Sequence, residues 1–556
     1  MSAETPLIDI RPDHWEIVQR ILQEHVPNLE VWAFGSRAKW NAKAFSDLDL
    51  AIITDEPLPI DTSAALNEAF SESDLPWKVD VVDWASVGEK FKRLIERTKV
   101  VVQSPSSSSG GNDRQVREEI KENDGWSRVS LGEAFDINPP RHIKRGAFTP
   151  FVPMDAIPVN SRRPERMDRR EYTGSGTRFR NGDTLVARIT PCLENGKTAY
   201  ISDLPDGVVA HGSTEYIVIS GRKGVSDGLF GYYVARSPDF RDYAISRMEG
   251  TSGRQRVPVD AIEVYRINLP SLTEQQAIAN ILGTLDDKIE LNRKQNETLE
   301  EMARALFKAW FVDFEPVRAK MEGRWKRGQS LPGMPAHLYD LFPDRMVESE
   351  LGEIPEGWEV RSLDSIANYL NGLALQKYPP ESEDEFLPVI KIAQLRSGDT
   401  HGAGRASARI SPEYVVENGD VLFSWSGSLE VEVWSGGRGA LNQHLFKVTS
   451  GLFPKWFYYF ATRHHLPTFR EIAAGKATTM GHIQRKHLTA SKVVIPSLEG
   501  MNRIDSVIAP LFEKLTYNAK QSRVLVQLRD SLLPDLVSGD LRVQNPGRLL
   551  ENMRRL

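Results

Sequence analysis

The sequence predicts an α+β multidomain chain. A small α/β domain comes first, and two β-rich modules follow, separated by two long helices that form an antiparallel coiled coil. Three observations predict this fold class. The 556 residues exceed what one ordinary hydrophobic core can hold. A Ser- and Gly-rich segment at 104–111 divides a short N-terminal part from the rest. Beyond that segment the sequence repeats itself, and each copy closes on a long heptad pattern.

The Ser- and Gly-rich segment and the repeat also predict the domain boundaries. The expected order is an α/β domain at 1–103, a flexible linker at 104–123, a first β-rich module at 124–270, a long helix at 271–320, a connector at 321–348, a second module at 349–496, and a second long helix with a tail at 497–556.

The composition is typical of a soluble globular protein, with 40% hydrophobic and 26% charged residues. No apolar run approaches the ~20 residues of a membrane span, and the N-terminus has no secretory pattern. We therefore expect a cytoplasmic protein with no membrane role. Cys192 is the single cysteine, which excludes an internal disulfide and a cysteine-cluster metal site. We interpret it as an interior filler rather than a nucleophile.

Three pairs of anchors define the repeat. Each copy has a Gly-Trp dipeptide, an Asn-Gly-Asp string that enters an apolar strand, and a Pro-Ser-Leu string before a helical pattern. The pairs are Gly125-Trp126 and Gly357-Trp358, Asn181–Leu185 and Asn418–Leu422, and Leu269–Leu272 and Ile495–Leu498. Pro270 and Pro496 lie 226 residues apart. The repeat predicts two similar modules at opposite ends of a coiled coil, a shape suited to a DNA site in two halves.

Each long helix carries the four-three spacing of a coiled-coil seam. The first seam contains Ile278, Leu282, Leu285, Ile289, Asn292, Asn296, Leu299, Ala303, Leu306 and Trp310, and the second contains Ile504, Ile508, Leu511, Leu515, Asn518, Ser522, Leu525, Arg529 and Leu532. A helix from about Thr273 to Phe314 would be ~60 Å long. Either pattern alone also suits an amphipathic helix on a globular core. The matched Asn292 and Asn518 favour pairing, because a polar seam residue fixes register.

The net charge of −6 argues weakly against a DNA-binding protein, because affinity for a duplex comes largely from Lys and Arg. Positive charge is nevertheless concentrated between residues 141 and 180, in Arg141, Lys144, Arg145, Arg162, Arg163, Arg166, Arg169, Arg170, Arg178 and Arg180. This cluster is compatible with a DNA-binding surface or with a solvated charged surface.

The architecture resembles the specificity subunit of type I restriction-modification enzymes, in which two target-recognition domains alternate with two conserved helices. The resemblance covers roughly Asp124 to the C-terminus. It rests on strings in both modules and at their boundaries, at 182–185 with 187–197, 272–276, 349–358, 422–427, 441–446 and 476–483. The modules differ greatly between these strings, which fits recognition of two different half-sites.

The resemblance implies that each module reads bases in the major groove through polar loop side chains. The candidates for DNA contact are Arg188, Lys197, Arg254 and Arg256 in the first module, and Lys476, Thr478, Thr479, His482, Arg485 and Lys486 in the second. We expect an asymmetric bipartite target with a degenerate spacer, its half-sites about one to two helical turns apart.

The implied partners are double-stranded DNA, methyltransferase (modification) subunits and an ATP-dependent restriction subunit, in a phage-defence system. S-adenosylmethionine and ATP would act only through those subunits, because the sequence has no glycine-rich nucleotide-binding string. Asn138–Arg141 superficially resembles the Asn-Pro-Pro-aromatic motif of adenine methyltransferases. Arg141 replaces the aromatic residue that would stack on a flipped base, so we interpret the string as a loop.

The N-terminal domain carries a separate candidate site. A strand at 31–34 leads into Gly35-Ser36, where backbone N–H groups can approach phosphate oxygens. Asp47 and Asp49 precede and enter a second strand at 48–53, and Asp80 lies on a third at 78–82. These three carboxylates could bind a divalent cation that polarises a nucleoside triphosphate. Asp83 is the rival third carboxylate.

This pattern resembles the minimal nucleotidyltransferases of the polymerase-beta superfamily, which implies a site with Mg²⁺ and a nucleoside triphosphate. Two alternatives stay open: the aspartates are turn carboxylates, or the fold persists without activity. The favoured hypothesis for the whole chain is a non-catalytic DNA-recognition scaffold with an accessory nucleotidyltransferase-like domain. The alternative is a metal-dependent nucleotidyltransferase, transferring a nucleotide to a protein hydroxyl or acting as an antitoxin-like regulator, which the rest of the chain targets.

Overall fold

The structure is a computed structural model that describes residues 8–38, 46–54, 58–86, 92, 95–96, 99–104, 125–251, 253–475 and 481–555. The chain divides into two compact units, one formed by 1–283 with 531–556 and the other by 284–530. The predicted linker at 104–123 lies, apart from Ser104, outside the described residues. None of the described helices is long and apolar enough to cross a membrane.

The helices, in chain order, are α1 (Pro12–His25), α2 (Gly35–Ala38), α3 (Ile60–Ser71), α4 (Leu131–Ala134), α5 (Gly228–Arg236), α6 (Pro238–Ser246), α7 (Val259–Glu263), α8 (Leu272–Phe311), α9 (Glu315–Met321), α10 (Leu363–Ile366), α11 (Ile392–Ser397), α12 (Lys455–His464), α13 (Leu466–Ala474), α14 (Arg485–Ala490), α15 (Leu498–Ser538) and α16 (Pro546–Arg555). Short 3-10 helices lie at 84–86, 154–156, 336–341, 375–377 and 412–414.

The N-terminal part folds into one four-stranded sheet with α1 and α3. Its strands are β1 (Glu30–Phe34), β2 (Leu48–Ile53), β3 (Val79–Asp83) and β4 (Val100–Gln103). Their order is β3-β2-β1-β4; β2 and β3 are parallel and the other pairs antiparallel. The three predicted strands are confirmed to within one residue at each end. The predicted Gly35-Ser36 turn is the first turn of the short helix α2.

The two modules have the same strand order, as the sequence repeat predicts. The first contains β5 (Ser127–Ser130), β6 (Phe135–Ile137), β7 (Phe148–Val152), β8 (Asp168–Glu171), β9 (Thr177–Phe179), β10 (Asp183–Ala187), β11 (Thr198–Tyr200), β12 (Ala210–Gly212), β13 (Tyr216–Gly221) and β14 (Arg266–Leu269). A hairpin of β15 (Met346–Ser349) and β16 (Gly352–Pro355) precedes the second module. The second contains β17 (Glu359–Ser362), β18 (Asn368–Asn371), β19 (Phe386–Ile390), β20 (Arg405–Ser407), β21 (Val415–Val416), β22 (Val421–Ser424), β23 (Val431–Val433), β24 (Gly439–Leu441), β25 (Leu445–Thr449) and β26 (Lys492–Ile495).

Each module has two four-stranded sheets and a two-stranded one. The order β11-β10-β13-β6 in the first module becomes β23-β22-β25-β18 in the second, and β8-β7-β12-β9 becomes β20-β19-β24-β21. The pairs β7·β12 and β19·β24 are both parallel. The strand before each long helix pairs with the strand after each Gly-Trp anchor, as β14·β5 and β26·β17. The sequence repeat is therefore a repeat of one fold.

The Asn-Gly-Asp string has a matched structural role in the two modules. The Asp183 carboxylate accepts the backbone N–H of Arg180 at 2.8 Å, and Asp420 accepts that of Glu417 at 2.9 Å. Each aspartate therefore closes the turn that leads into a buried central strand, β10 or β22. Local hydrogen bonding of this kind is the reason Asp is favoured in turns.

Helices α8 and α15 begin at Leu272 and Leu498, 226 residues apart like the proline anchors. The prediction that the first helix reaches Phe314 was wrong by three residues. Phe314 has a φ of +53°, a left-handed conformation that a helix cannot continue, and Pro316 follows it in α9.

The predicted seams are confirmed by burial, since none of their nineteen members is exposed. The pairing is antiparallel: Asp286 contacts Arg529, and Asn296 donates to the Leu515 carbonyl at 3.0 Å. Between these contacts lies a reciprocal polar pair. The Asn292 amide donates to Gln521 at 2.9 Å, and the Asn518 amide donates to Gln295 at 3.2 Å.

One seam contact is a buried ion pair. Arg529 Nη1 lies 2.7 Å from Asp286 Oδ1, and the two side chains are only 6% and 5% exposed. Burial alone would lower the pKa of the Arg529 guanidinium, but Asp286 and Asp530 outweigh burial and raise it. The guanidinium therefore stays charged inside the seam.

We expect Arg529→Leu to open this part of the coiled coil, because it leaves the Asp286 carboxylate buried without its guanidinium. Breaking a buried pair costs about 3 kcal/mol or more. Amides at 286–296 should then exchange hydrogen roughly 100-fold faster or more, since each ~1.4 kcal/mol is tenfold.

The control is Arg293→Ala on α8, which removes the ion pairs of an exposed arginine with Glu290 and Glu297 and should change exchange only a few-fold. Adding Asp286→Leu to Arg529→Leu should restore protection, since two apolar residues can replace a buried pair. Equal effects of Arg529→Leu and Arg293→Ala would show that the ion pair does not hold the seam.

Candidate functional sites

In the first module three chain segments meet beyond the end of β10. The Arg188 N–H donates to the Glu215 carbonyl at 3.0 Å, and the Val257 N–H donates to the Arg188 carbonyl at 2.9 Å. The Thr190 N–H donates to the Gln255 carbonyl at 3.0 Å, and Ile189 forms a bridge with Arg256. These bonds fix residues 188–190, 215 and 254–257 against one another. We call this group the first loop site.

The second module builds the same arrangement beyond the end of β22. The Trp425 N–H donates to the His444 carbonyl at 3.3 Å, and the Ile483 N–H donates to the Trp425 carbonyl at 3.0 Å. The Gly427 N–H donates to the Gly481 carbonyl at 2.8 Å, and Ser426 forms a bridge with His482. We call residues 425–427, 444 and 481–483 the second loop site.

The two loop sites therefore correspond position by position. Arg188 corresponds to Trp425, Glu215 to His444, and Arg256 to His482. The backbone scaffold is the same, and the side chains at these three positions differ in charge and shape.

The first loop site is dominated by a clamped arginine. Arg256 donates from Nε to both oxygens of Glu215, at 3.0 and 2.9 Å, and from Nη2 to Oε1 at 2.7 Å. The hydrogen bonds and charge of Arg256, helped by Arg188, lower the pKa of Glu215 against the effect of burial. Arg188 Nε and Thr190 Oγ1 are buried and have no hydrogen-bond partner among the described residues.

The second loop site is built from rings instead of guanidinium groups. His444 Nδ1 lies 2.9 Å from Ser426 Oγ, and the Trp425 indole donates to Asn371 Oδ1 at 2.8 Å. The Trp425 ring lies 5.9 Å from that of His444 and 6.3 Å from that of His482, between ring centres. These side chains offer donors, acceptors and stacking faces without a permanent charge.

The structure brings together only some of the predicted DNA-contact residues. Arg188, Arg254 and Arg256 meet in the first loop site, with Arg254 exposed, whereas Lys197 donates to the Met154 carbonyl at 2.9 Å. His482 belongs to the second loop site.

The remaining candidates of the second module lie elsewhere. Arg485 donates to the Tyr369 carbonyl at 3.0 Å, and Lys486 is exposed on α14. The predicted contacts Lys476, Thr478 and Thr479 lie outside the described residues. All ten assignments stay predictions.

Sequence reasoning missed Glu215 and His444, although each lies directly before a buried strand of the repeat. Aligning β13 with β25 would have found both, because Glu215 precedes Tyr216 as His444 precedes Leu445. Their matched positions in the repeat, and not their residue types, would have identified Glu215 and His444 as members of the loop sites.

Several of the basic residues at 141–180 are paired with carboxylates within the protein. The ion pairs are Arg141–Asp183, Arg163–Asp203, Arg166–Asp155 and Arg170–Asp168. The Arg141–Asp183 pair is buried, its side chains 7% and 1% exposed, so it serves the fold. Lys144, Arg145 and Arg180 are exposed. The cluster therefore presents less positive charge than its composition suggests.

In the N-terminal domain, strand pairing places two of the predicted aspartates side by side. Asp49 on β2 is opposite Asp80 on the parallel strand β3. Gly35 lies against Asp49 with a φ of +74°, and a Cβ atom there would be 2.1 Å from Asp49 Oδ2. Only glycine fits this position. Burial, with the charges of Asp80 and Asp47, raises the pKa of Asp49.

Asp83, the rival third carboxylate, has a different role. It accepts hydrogen bonds from the Thr54 hydroxyl at 2.9 Å and from the backbone N–H groups of Leu58 and Ala85 at 2.9 and 3.1 Å. Asp83 therefore holds the loops beside β3 and does not face Asp49.

Carboxylate oxygens are the ligands that a divalent cation prefers, and a cation would relieve the mutual repulsion of Asp47, Asp49 and Asp80. Asp80 is at present paired with Lys78 at 2.5 Å. Within the described part of the chain, no group of three or more His, Cys, Asp or Glu is arranged to hold a metal ion. The metal site stays a prediction, as do the roles of Gly35 and Ser36.

The chain has two modules of one fold, each with a different loop site, and an antiparallel coiled coil. This arrangement is the one expected of a DNA-recognition protein with two recognition modules. The family model of the type I restriction modification DNA specificity domain matches residues 123–301 and 355–525, more than half of the chain. The chain belongs to this family.

Two comparisons accompany this assignment. The type I restriction enzyme HindI specificity subunit of Haemophilus influenzae is 26% identical over 409 residues, covering 65% of this chain and 87% of that protein. A crystal structure of a type I restriction-modification S subunit from M. genitalium covers 75% of this chain and 98% of that chain, with 15% identity and a TM-score of 0.43.

The N-terminal domain has its own relatives. The polymerase beta nucleotidyltransferase family model matches residues 16–107. A probable protein adenylyltransferase, MntA of Haemophilus influenzae, is 54% identical over 96 residues, which are 17% of this chain and 84% of that protein. The chain thus joins a nucleotidyltransferase domain to a DNA specificity protein.

We expect Asp49→Asn to stabilise the N-terminal domain at neutral pH in the absence of divalent cations, because the amide removes repulsion from Asp47 and Asp80. The folded state raises the pKa of Asp49, so the wild-type domain gains stability as pH falls and the carboxyl binds a proton. The benefit of Asn should therefore shrink as pH falls through the raised pKa of the folded state and be gone below the ordinary Asp pKa of ~3.9. Hydrogen exchange of the β2 amides in the full chain measures both effects.

Asp83→Asn is the matched control, because it weakens an acceptor of three hydrogen bonds and should lower stability by roughly 1 kcal/mol or more. If Asp49→Asn lowered stability as Asp83→Asn does, Asp49 would be a fold-stabilising turn carboxylate.

Proposed function

We propose that this chain is the DNA-reading specificity subunit of a type I restriction-modification complex and that it recognises an asymmetric, bipartite target with a degenerate spacer. The observation that carries the proposal is the pair of loop sites. One backbone scaffold occurs twice with different side chains, as expected when one fold reads two different half-sites. Polar side chains on a fixed scaffold are the means by which proteins read base edges.

The chain's partners follow from the same proposal. Double-stranded DNA binds the modules, and methyltransferase subunits and a restriction subunit assemble on the chain. S-adenosylmethionine and ATP enter through those subunits. The names of the relatives, which are specificity subunits of type I restriction enzymes, support this division of roles.

Methylation mapping tests the proposal directly. Coexpression of the chain with its methyltransferase subunit in a host without methylation is expected to give adenine methylation at one two-part motif. His482→Gln should relax one half of the motif and leave the other half unchanged, because His482 lies in one loop site only.

The methyltransferase subunit expressed alone is the control and should give no motif. A contiguous short motif, or methylation that does not depend on this chain, would contradict the proposal.

We propose a second function for the N-terminal domain, the transfer of a nucleotide to a protein hydroxyl. The 54% identity to a probable protein adenylyltransferase favours this function. In such a step the hydroxyl oxygen forms a bond to the α-phosphorus of a nucleoside triphosphate, pyrophosphate leaves, and the hydroxyl proton passes to a base or to water. Asp47, Asp49 and Asp80 would hold Mg²⁺, which supplies charge neutralisation at the triphosphate. Gly35 leaves room for the Asp49 carboxylate beside the backbone, and Ser36 adds a hydroxyl donor for a phosphate.

Asp47→Asn combined with Asp49→Asn is expected to abolish Mg²⁺-dependent transfer of label from α-labelled ATP to protein, because two cation ligands are lost. DNA methylation should survive. The measurement is label incorporation into protein by the purified full chain with its partner subunits, supplied with α-labelled ATP and Mg²⁺, and Asp74→Asn, an aspartate beyond α3, is the control. Loss of methylation in the double variant would show that the N-terminal domain serves DNA modification and would favour the alternative that nucleotide transfer is the main activity.

A further inference from the structure

We propose that the Arg256–Glu215 pair of the first loop site reads a guanine, so that the half-site of the first module contains a guanine whose recognition depends on Arg256. This inference rests on the proposed function and adds the chemistry of one base.

Glu215 holds one edge of the Arg256 guanidinium, and we call this pair the clamp. Glu215 contacts the Nε and Nη2 edge of the guanidinium, at 2.7–3.0 Å. A guanidinium has five N–H groups in a planar fork, so the edge between Nη1 and Nη2 keeps parallel donors. Nη1 makes one further contact of 3.3 Å, to the Arg254 carbonyl. A clamp on one edge thus orients the other edge and reduces the entropy lost on binding.

The two donors on the free edge of Arg256 match the major-groove edge of guanine. In the major groove guanine presents two neighbouring acceptors, O6 and N7, whereas adenine presents one acceptor and one donor, and cytosine presents a donor. A pair of guanidinium donors is satisfied by guanine and leaves a donor facing a donor on adenine or cytosine. Arg188, whose Nε is buried and has no hydrogen-bond partner in the described part of the chain, adds positive charge beside the clamp. The first loop site is therefore rich in donors.

The charge of Glu215 makes Arg256 better suited to a base contact than to a phosphate contact. Glu215 is 23% exposed beside an Arg256 side chain that is 43% exposed. A carboxylate this close cancels most of the attraction of Arg256 for a phosphate, while a neutral base edge responds mainly to the direction of the donors. Arg254 lies two residues away, is exposed, and is better suited to a phosphate.

The second module has no equivalent of the Arg256–Glu215 pair among its described residues. His444 and His482 occupy the positions of Glu215 and Arg256, and no described residue forms a carboxylate–guanidinium clamp there. The dependence on a clamped arginine therefore belongs to one half-site.

The experiment uses the complete complex of this chain with its methyltransferase subunits. The target motif is first determined by methylation mapping. Duplexes are then made in which each guanine of the motif in turn is replaced by 7-deazaguanine, which lacks the N7 acceptor, and binding is measured with wild-type, Arg256→Gln and Arg254→Gln chains. Good bidentate contacts discriminate by about 1–3 kcal/mol, which corresponds to roughly 5- to 150-fold in affinity.

We expect one guanine at which the analogue weakens wild-type binding by about fivefold or more. Arg256→Gln should remove the penalty at that guanine and relax the methylated motif there only. Arg254→Gln should weaken binding to all duplexes alike, reduce its salt dependence, and keep the penalty.

Several results would overturn the inference. They are a motif without a guanine on either strand, an analogue penalty that persists at every guanine in Arg256→Gln, or an equal loss on all duplexes in that variant. The wild-type arm needs no substitution, so a variant that fails to assemble does not prevent the test: an absent analogue penalty at every guanine of the wild-type complex is by itself sufficient to reject it. A wild-type complex that methylates no motif overturns the proposed function and this inference together, whereas a motif with no N7-dependent guanine overturns this inference alone.

Discussion

The pairing of two equivalent helices in an antiparallel seam is the constraint on which the rest of the chain depends. Asn292 and Asn518 occupy equivalent positions, and so do Gln295 and Gln521. Each asparagine donates to the glutamine of the other helix. This reciprocity exists in one register only, because a shift by one heptad would leave both amides against apolar residues. Three amide oxygens of the layer lack a donor among the described residues, so its contribution is to register more than to stability.

Those features that depend on residues near in sequence could be predicted. The helix seams follow from period alone, and all nineteen predicted seam positions are buried or half-buried. The end of α8 was misplaced because a heptad pattern does not reveal that Phe314 adopts a left-handed conformation. Strand order could not be predicted, since the parallel pairing of β7 with β12 joins segments about 60 residues apart and depends on packing that no local pattern encodes.

The net charge of a surface also depends on residues that are distant in sequence, so it could not be predicted. Counting arginines at 141–180 suggested a basic surface, but Asp183 and Asp203 lie outside that stretch and neutralise two of its arginines. Arg256 was chosen as a candidate because arginine is a common base-reading residue. Glu215 was not chosen, since a carboxylate repels DNA phosphates and its arginine partner is not visible in the sequence. The useful information was the repeat, which identifies matched positions without regard to residue type.

The two loop sites show how one backbone scaffold can present two different sets of side chains. The residues that build the scaffold contribute backbone groups, so Arg188 and Trp425 make the same two main-chain bonds although their side chains have nothing in common. Substitution at these positions changes the side chain that the site presents and leaves the hydrogen bonds of the scaffold in place. The turn that Asp183 or Asp420 closes cannot vary in this way, because its hydrogen bond uses the side chain itself.

Asp49 in the N-terminal domain does not close a turn as Asp183 and Asp420 do in the modules. The carboxylate that supports the local turns is Asp83, with three hydrogen bonds. Asp49 instead lies partly buried beside two other aspartates, where burial and like charge raise its pKa. Repulsion of this kind destabilises the isolated fold, and groups with perturbed pKa values collect at functional sites. The close fit of Gly35 against Asp49 leaves no space for a larger residue. Turn formation therefore accounts for Asp83 but not for the arrangement of Asp49, Asp80 and Gly35.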